Sequence, residues 1–260
     1  TVVRPLYSHG VVHTATLLAD GRVLVVGGCT GSGICTGQAE IFNPQTSAWT
    51  EAAPLASQRA SHHAVLLDDG RVLVAGGSPG DRIAWLYDPL VNSWTPAGEM
   101  HSQHALAAMV KLPDGRVLIA GGINISDNPI AVTSVELYDP ETNTWTAAAP
   151  LAQPRFGHLL ALLPDGRVMA IGGAWEYDYP VGHPGGHPWT VGSFVLSIDV
   201  YDPRSDTWIT AGELPQGTAH AAAVFLPDGR LWVTGGGAGG DSAKAWTNTW
   251  EISWTMPMDW

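Results

Sequence analysis

The chain has 260 residues, 45% of them hydrophobic and only 14% charged, with 31 Gly and 19 Pro; this suits many short strands joined by tight turns in a single domain, and excludes a disordered chain. The formal charge of -12, with Lys111 and Lys244 as the only lysines, excludes nucleic acid and anionic membrane surfaces as partners, because both reward dense positive charge. No run of about 18 apolar residues is present to cross a membrane as a helix.

Read from the N-terminus, the first clear element is the segment DGRVLVVGG (20–28), which returns as DGRVLVAGG (69–77), DGRVLIAGG (114–122), DGRVMAIGG (165–173) and DGRLWVTGG (228–236). Each follows an apolar run such as HHAVLL (62–67), so apolar run, Asp-Gly and apolar run predict a β-hairpin that ends at Gly-Gly. After a variable gap come a strand-like segment such as ELYDP (136–140) and a Trp: Trp49, Trp94, Trp145, Trp208 and Trp260. One repeat thus predicts a four-stranded antiparallel sheet, with repeats over 7–50, 56–95, 101–146, 152–209 and 215–260. In the first gap Cys29 and Cys35 share a Gly-rich loop. They are close enough for a local disulfide, the alternative being two free thiols; a bridge favours a secreted or periplasmic location over the cytoplasm.

Each repeat Trp stands 20 residues before the next Asp-Gly: Trp49 to Asp69, Trp94 to Asp114, Trp145 to Asp165, Trp208 to Asp228. Joining the ends would place Trp260 the same distance before Asp20. TVVRPL (1–6) also aligns on TEAAPL (50–55), so the N-terminal strand is expected to complete the last sheet and close a ring, leaving no open edge. A monomer is expected.

Gly-Gly, Tyr/Phe-Asn/Asp-Pro and the spaced Trp together resemble the kelch repeat across essentially the whole chain. The resemblance implies an all-β fold, a five-bladed kelch-type β-propeller with four antiparallel strands per blade. Asp-Gly and Asp-Pro turns then fall on one face, and Gly-Gly loops and inter-blade linkers on the other. The stretch from the second Gly to the Trp ranges from 17 residues (Gly77 to Trp94) to 35 (Gly173 to Trp208). Nearly all length variation therefore enters on the second face, which is where function is expected.

On that face the linkers carry Gly10, Arg59, His104, Arg155 and Thr218 at matched positions, and His13, His62 and His158 three residues further on, with His220 one residue out of phase. Arg59, His104 and Arg155, with the loop aromatics Trp175, Tyr177, Trp189 and Trp246, are expected to bind a peptide, protein or glycan ligand at the channel mouth. The alternative is a small-molecule enzyme, an isomerase, lyase or cyclase, with His13, His62, His158 or His220 as acid, base or metal ligand. A third reading makes each His a strand cap of the repeat. In the longest insertion Glu176, Asp178, His183 and His187 are candidate ligands for a divalent metal. His158 and His220 also stand where the similar galactose oxidase and glyoxal oxidase carry copper-binding His residues. Those enzymes further require a Tyr beside one His and a Tyr cross-linked to Cys, which this chain lacks, so copper radical chemistry is not expected. Trp85, Trp175, Trp189, Trp246 and Trp250 are expected in or beside the variable loops.

Overall fold

Asp-Gly-Arg closes a hairpin by the same chemistry wherever the computed structural model describes it; the described residues are 11–30, 33–77, 80–124, 130–178, 190–226, 230–237 and 249–252. In the first repeat the Leu18 N–H donates to Arg22 O at 2.8 Å and the Gly21 N–H to Leu18 O at 3.0 Å. Gly21 has φ +85°, the left-handed region that glycine enters without a Cβ clash. The turn carries its own counterion. The Arg22 N–H donates to Asp20 Oδ1 at 3.0 Å and its Nε to Oδ2 at 2.7 Å, which holds the Asp20 carboxyl below its ordinary range. Asp69 with Arg71, Asp114 with Arg116 and Asp165 with Arg167 repeat the arrangement.

The chain divides into two compact units, Thr1–Phe156 and Gly157–Trp260. The first unit holds three four-stranded antiparallel sheets: β1 (Thr14–Leu17), β2 (Val23–Val26), β3 (Ala39–Asn43) and β4 (Ala48–Ala52); then β5 (His63–Leu66), β6 (Val72–Ala75), β7 (Ile83–Asp88) and β8 (Ser93–Glu99); then β9 (Ala108–Lys111), β10 (Val117–Ala120), β13 (Val135–Asp139) and β14 (Thr144–Ala148). Between β10 and β13 the Gly-Gly loop adds a small hairpin, β11 (Ile123–Asn124) and β12 (Ile130–Ala131). The second unit holds the four-stranded sheet β15 (Leu159–Leu162), β16 (Val168–Ile171), β19 (Ser197–Asp202) and β20 (Thr207–Glu213), and the inserted hairpin β17 (Ala174–Asp178) and β18 (Thr190–Phe194). It ends with β21 (Ala221–Phe225), β22 (Leu231–Gly235) and β23 (Thr249–Ile252). The predicted strand order of each repeat is thus observed, except that the fourth strand of the last sheet, with residues 1–6 and Trp260, lies outside the described residues.

Second strands such as VLVA and VLIA are apolar at every position because both their faces are covered. The packing follows one rule. Leu24 and Val26 of β2 pack with Val72 and Val74 of β6, while the opposite face of β6, Leu73 and Ala75, packs with Val117 and Ile119 of β10. In the second unit Met169 and Ile171 pack with Leu231 and Val233. At the outer rim the repeat tryptophans link neighbouring sheets: Trp94 Nε1 donates to Ala53 O at 2.7 Å and Trp145 Nε1 to Ala97 O at 2.8 Å. Tyr87 and Tyr138 each lie about 5 Å from their Trp in tilted contact.

Two tryptophans are not where the sequence suggested. Trp85 lies within β7 and Trp250 within β23, paired with Val74 and Val233 respectively. They occupy the third-strand register of Glu40, Glu136 and Asp199, not the variable loops.

The glycines separate conformational from steric demand. A Cβ on Gly21 meets nothing within 4 Å, whereas on Gly122 (φ +98°) it would lie 2.6 Å from Ala105 O and 3.0 Å from Ala107. In urea denaturation Gly21→Ala should cost about 1 kcal/mol and Gly122→Ala about 2–4 kcal/mol; equal losses would contradict this assignment.

Candidate functional site on the linker and Gly-Gly face

Each linker residue of the matched set that is described bonding here reaches the same target. Arg59 Nη1 donates to Gly76 O at 2.8 Å, His104 Nδ1 to Gly121 O at 2.7 Å and Thr218 Oγ1 to Gly235 O at 3.1 Å, in every case seventeen residues ahead. The acceptor is the first Gly of the Gly-Gly pair in the sheet the linker enters. The backbone of the same residues faces the sheet before it: the N–H of Gly28 donates to Arg59 O at 2.8 Å, Gly122 to Arg155 O at 2.7 Å and Gly173 to Thr218 O at 2.8 Å. The linker is therefore a latch between consecutive sheets. Two positions beyond each anchor the backbone turns left-handed, at Val12, Ser61, Leu106, Gly157 and His220, with φ between 52° and 60°. For the four that are not glycine this costs about 1–2 kcal/mol each. Hydrogen bonds accompany it: Ser61 N–H to Val12 O, Leu106 N–H to Ser61 O and His220 N–H to Gly157 O, at 2.7–3.0 Å.

Buried charges at the latch are compensated. Arg59 also donates to Ser57 Oγ, to Ile83 O and, through Nη2 at 2.7 Å, to Asp81. Burial pushes its guanidinium pKa down and Asp81 opposes that. Around His104 the compensating group is Glu136 on β13, whose carboxylate accepts from the N–H groups of His101 and Ser102 at 2.8 Å, from His101 Nδ1 at 2.9 Å and from His104 Nε2 at 3.1 Å. Gly121 O thus stands at one ring nitrogen of His104 and the Glu136 carboxylate at the other. Burial alone would raise the Glu136 pKa, but the bonds from His104 and His101 bring it down to about 2.

The structure places the expected site residues as follows. Arg59, His104 and Arg155 have no exposed surface; Arg59 and His104 direct their polar atoms to backbone carbonyls and to the carboxylates of the half-buried Asp81 and the buried Glu136. His62 is buried with Nε2 2.8 Å from Thr14 Oγ1. Burial, and then the neighbouring His63, Arg59 and His13, push its pKa down to about 3, far from a neutral acid or base. His158 is buried, while His13 and His220 are exposed. In the insertion, Trp175, Glu176, Tyr177 and Asp178 belong to strand β17 and not to an irregular loop. Glu176 accepts from Ser193 Oγ across the hairpin at 2.9 Å, and Trp175 is exposed. His183, His187, Trp189 and Trp246 lie outside the described residues. No group of three His, Cys, Asp or Glu able to hold a metal occurs among the described residues. Both cysteines form the Cys29–Cys35 disulfide, so neither can supply the Tyr–Cys cross-link of a copper radical site.

What the sequence reading missed is the apolar character of this face. The disulfide staples a small hairpin in which the Gly33 N–H donates to Thr30 O and the Thr30 N–H to Ile34 O, both at 2.8 Å; Val11 and Cys29 exchange backbone bonds at 2.8 and 2.9 Å. Val11, Val12 and Ile34 on these segments are all exposed. The signal was present as apolar residues directly after a glycine in two separate segments, GVV (10–12) and GIC (33–35).

Sheets of four antiparallel strands in repeat, latched through Gly-Gly, define a kelch-type β-propeller chain. The Kelch motif matches residues 11–56 and 113–152, so kelch repeats are recognised in these two segments of the chain. It is similar to human Kelch-like protein 34 (29% identical over 113 residues, 44% of this chain and 15% of that one) and human Kelch-like protein 23 (30% over 114 residues, 44% and 17%). It therefore spans less than a quarter of the length of these curated relatives. Among solved structures it resembles YjhT with a TM-score of 0.71 at 20% identity, covering 92% of this chain and 80% of that one. A fungal alcohol oxidase in complex with copper gives 0.54 at 17% identity, covering 87% and 58%. At these identities the likeness is one of fold.

Two outcomes test the latch. Arg59→Ala leaves Asp81 and two carbonyls without their donor and should lower stability by about 3–5 kcal/mol in denaturant titration, where a ligand-contact role predicts little change. Glu136 has a folded pKa of about 2 against an ordinary 4.5, so its contribution, on the order of 3 kcal/mol, is present above pH 4.5 and lost as pH falls toward 2. Glu136→Gln should be less stable at neutral pH and show a flatter acid-unfolding profile through that window, measured by circular dichroism.

Proposed function

We propose that this protein is a recognition module that binds a protein partner through the face of the linkers and Gly-Gly loops. The observation that carries the reading is the disulfide-stapled hairpin, which exposes Val11, Val12 and Ile34 on a backbone fixed by hydrogen bonds. Exposed apolar side chains on a rigid support cost little ordering entropy when a partner covers them. The kelch relatives and the length variation of this face support the same reading. A protein surface with apolar side chains fits better than a glycan, whose hydroxyls need the polar side chains that are buried here. The disulfide supports an oxidising compartment, secreted or periplasmic. The enzyme reading gains nothing from His62, which stays neutral down to about pH 3 and so releases no proton near neutrality.

The test is selection of binders from a displayed library of folded protein domains, followed by titration against the native protein and a Val11→Asp, Ile34→Asp double variant of unchanged circular dichroism. Binding should weaken by about tenfold or more in the variant, roughly 1.4 kcal/mol. Equal affinity for both proteins would remove this face as the recognition surface.

A further inference from the structure

The described turns between third and fourth strands share one conformation and differ in one pair of side chains. In each, the side-chain oxygen of the first residue accepts from the N–H of the third, Asn43 from Gln45, Asp88 from Leu90, Asp139 from Glu141 and Asp202 from Arg204, at 2.8–2.9 Å. The fifth residue is left-handed in all four, with φ between 50° and 56° at Ser47, Asn92, Asn143 and Asp206. The third and fourth positions are the polar pairs Gln45–Thr46, Glu141–Thr142 and Arg204–Ser205, but Leu90–Val91 in the second sheet. Leu90 is 92% exposed and Val91 67%. Neither adds appreciable burial to the fold, and the polar pairs show that the turn closes without them.

The pair is held in place. Asn92 Oδ1 accepts from the Tyr87 hydroxyl at 2.7 Å and from the Ala53 N–H of the first sheet at 2.8 Å, and Asn143 Nδ2 of the third sheet donates to Pro96 O at 3.4 Å. Both neighbouring sheets belong to the first compact unit, so the exposure of this turn is set within that unit. Apolar side chains on a held backbone lose little conformational freedom when a partner covers them. Their surroundings are acidic. Asp69, Asp114 and Asp68 are matched by Arg71, Arg116 and Lys111, but Asp88, Asp139 and Glu141 have no ion-pair partner among the described residues. Arg71 lies within electrostatic reach of Asp88, at the base of the turn, and of Tyr138, beside Asp139. The pair therefore adjoins a crevice of about 450 Å³ lined by Asp68, Asp69, Asp114, Asp139 and Glu141, with Arg116 as the one cation among its lining residues. We propose that the Leu90–Val91 turn is a docking site for a second protein, one whose contact surface is an apolar depression rimmed by lysine or arginine. The apolar pair supplies the buried anchor, and the carboxylates select a basic partner and steer its approach. The same charge disfavours an anionic lipid surface. This turn stands at the opposite strand ends from the linkers and Gly-Gly loops, so the proposal does not rest on the recognition surface argued above.

The double variant Leu90→Gln, Val91→Thr, which copies the pair of the first sheet, tests it. It should unfold at the same urea concentration as the native protein; a lower midpoint gives the pair a role in the fold and overturns the proposal. Natural folded domains are then selected on the native protein from a displayed library, and each is titrated against both proteins. Domains that bind the native protein about tenfold or more tightly than the variant should be recovered. They should carry an excess of Lys and Arg and lose affinity as salt is raised. A selection in which every binder tolerates the double variant overturns the proposal, as do discriminating binders that are acidic or indifferent to salt. Co-sedimentation of the native protein, but not the variant, with phosphatidylcholine vesicles assigns the pair to a lipid surface. Self-association that the variant loses assigns it to a second copy. Either result counts against a basic protein partner.

Discussion

A single hydrogen bond from a linker side chain to the first carbonyl of Gly-Gly is the constraint around which the repeat is arranged. Gly-Gly turns the chain out of the sheet with both residues left-handed, as at Gly76 and Gly77, and leaves a carbonyl that needs a donor. Arg59, His104 and Thr218 supply one from three different chemistries. What they share is a polar hydrogen at one place, and the carbonyl of the same residue accepts from the preceding sheet where Arg59 and Thr218 are described. Arg59 and Thr218 thereby each fix two sheets at once, and the left-handed residue two positions on is tolerated because its neighbours are already held.

Once the latch is charged, the fold must place a carboxylate within reach, and it does so in two ways. At β13 the third-strand register carries Glu136, which receives four bonds from the linker of its own sheet. At β7 that register is Trp85, and Asp81 from the loop before the strand pairs with Arg59 instead. Where the latch is the neutral Thr218, no such pairing is required of it. In these two repeats the linker residue and its carboxylate therefore change together, the carboxylate coming from the strand in one and from the loop in the other.

Strand order was legible because it depends on period. Asp-Gly-Arg, Gly-Gly and Trp recur at fixed separations, and each determines a local conformation almost without help from the rest of the chain. The site was less so. Arg59, His104 and Arg155 were recognisable as equivalent, but a matched position does not say whether a long side chain turns to the solvent or back into its own sheet. The constant separation of seventeen residues to the first Gly of Gly-Gly was available as a hint, since a spacing preserved across gaps of different length marks a contact. Trp85 was misplaced because a large aromatic beside a loop looks exposed until the register puts it opposite Val74. The insertion after Gly173 was read as irregular, yet its first residues form β17, because alternation over five residues is too short to stand out beside a Pro- and Gly-rich stretch.

The Asp-Gly-Arg turn contains its own neutralising charge, one anion and one cation bonded within three residues. Duplicating such a unit adds nothing to the net charge of the rim it builds. A chain of these repeats can be lengthened or shortened by gene duplication and loss without accumulating repulsion along that edge, which leaves the number of repeats free to be set by packing alone.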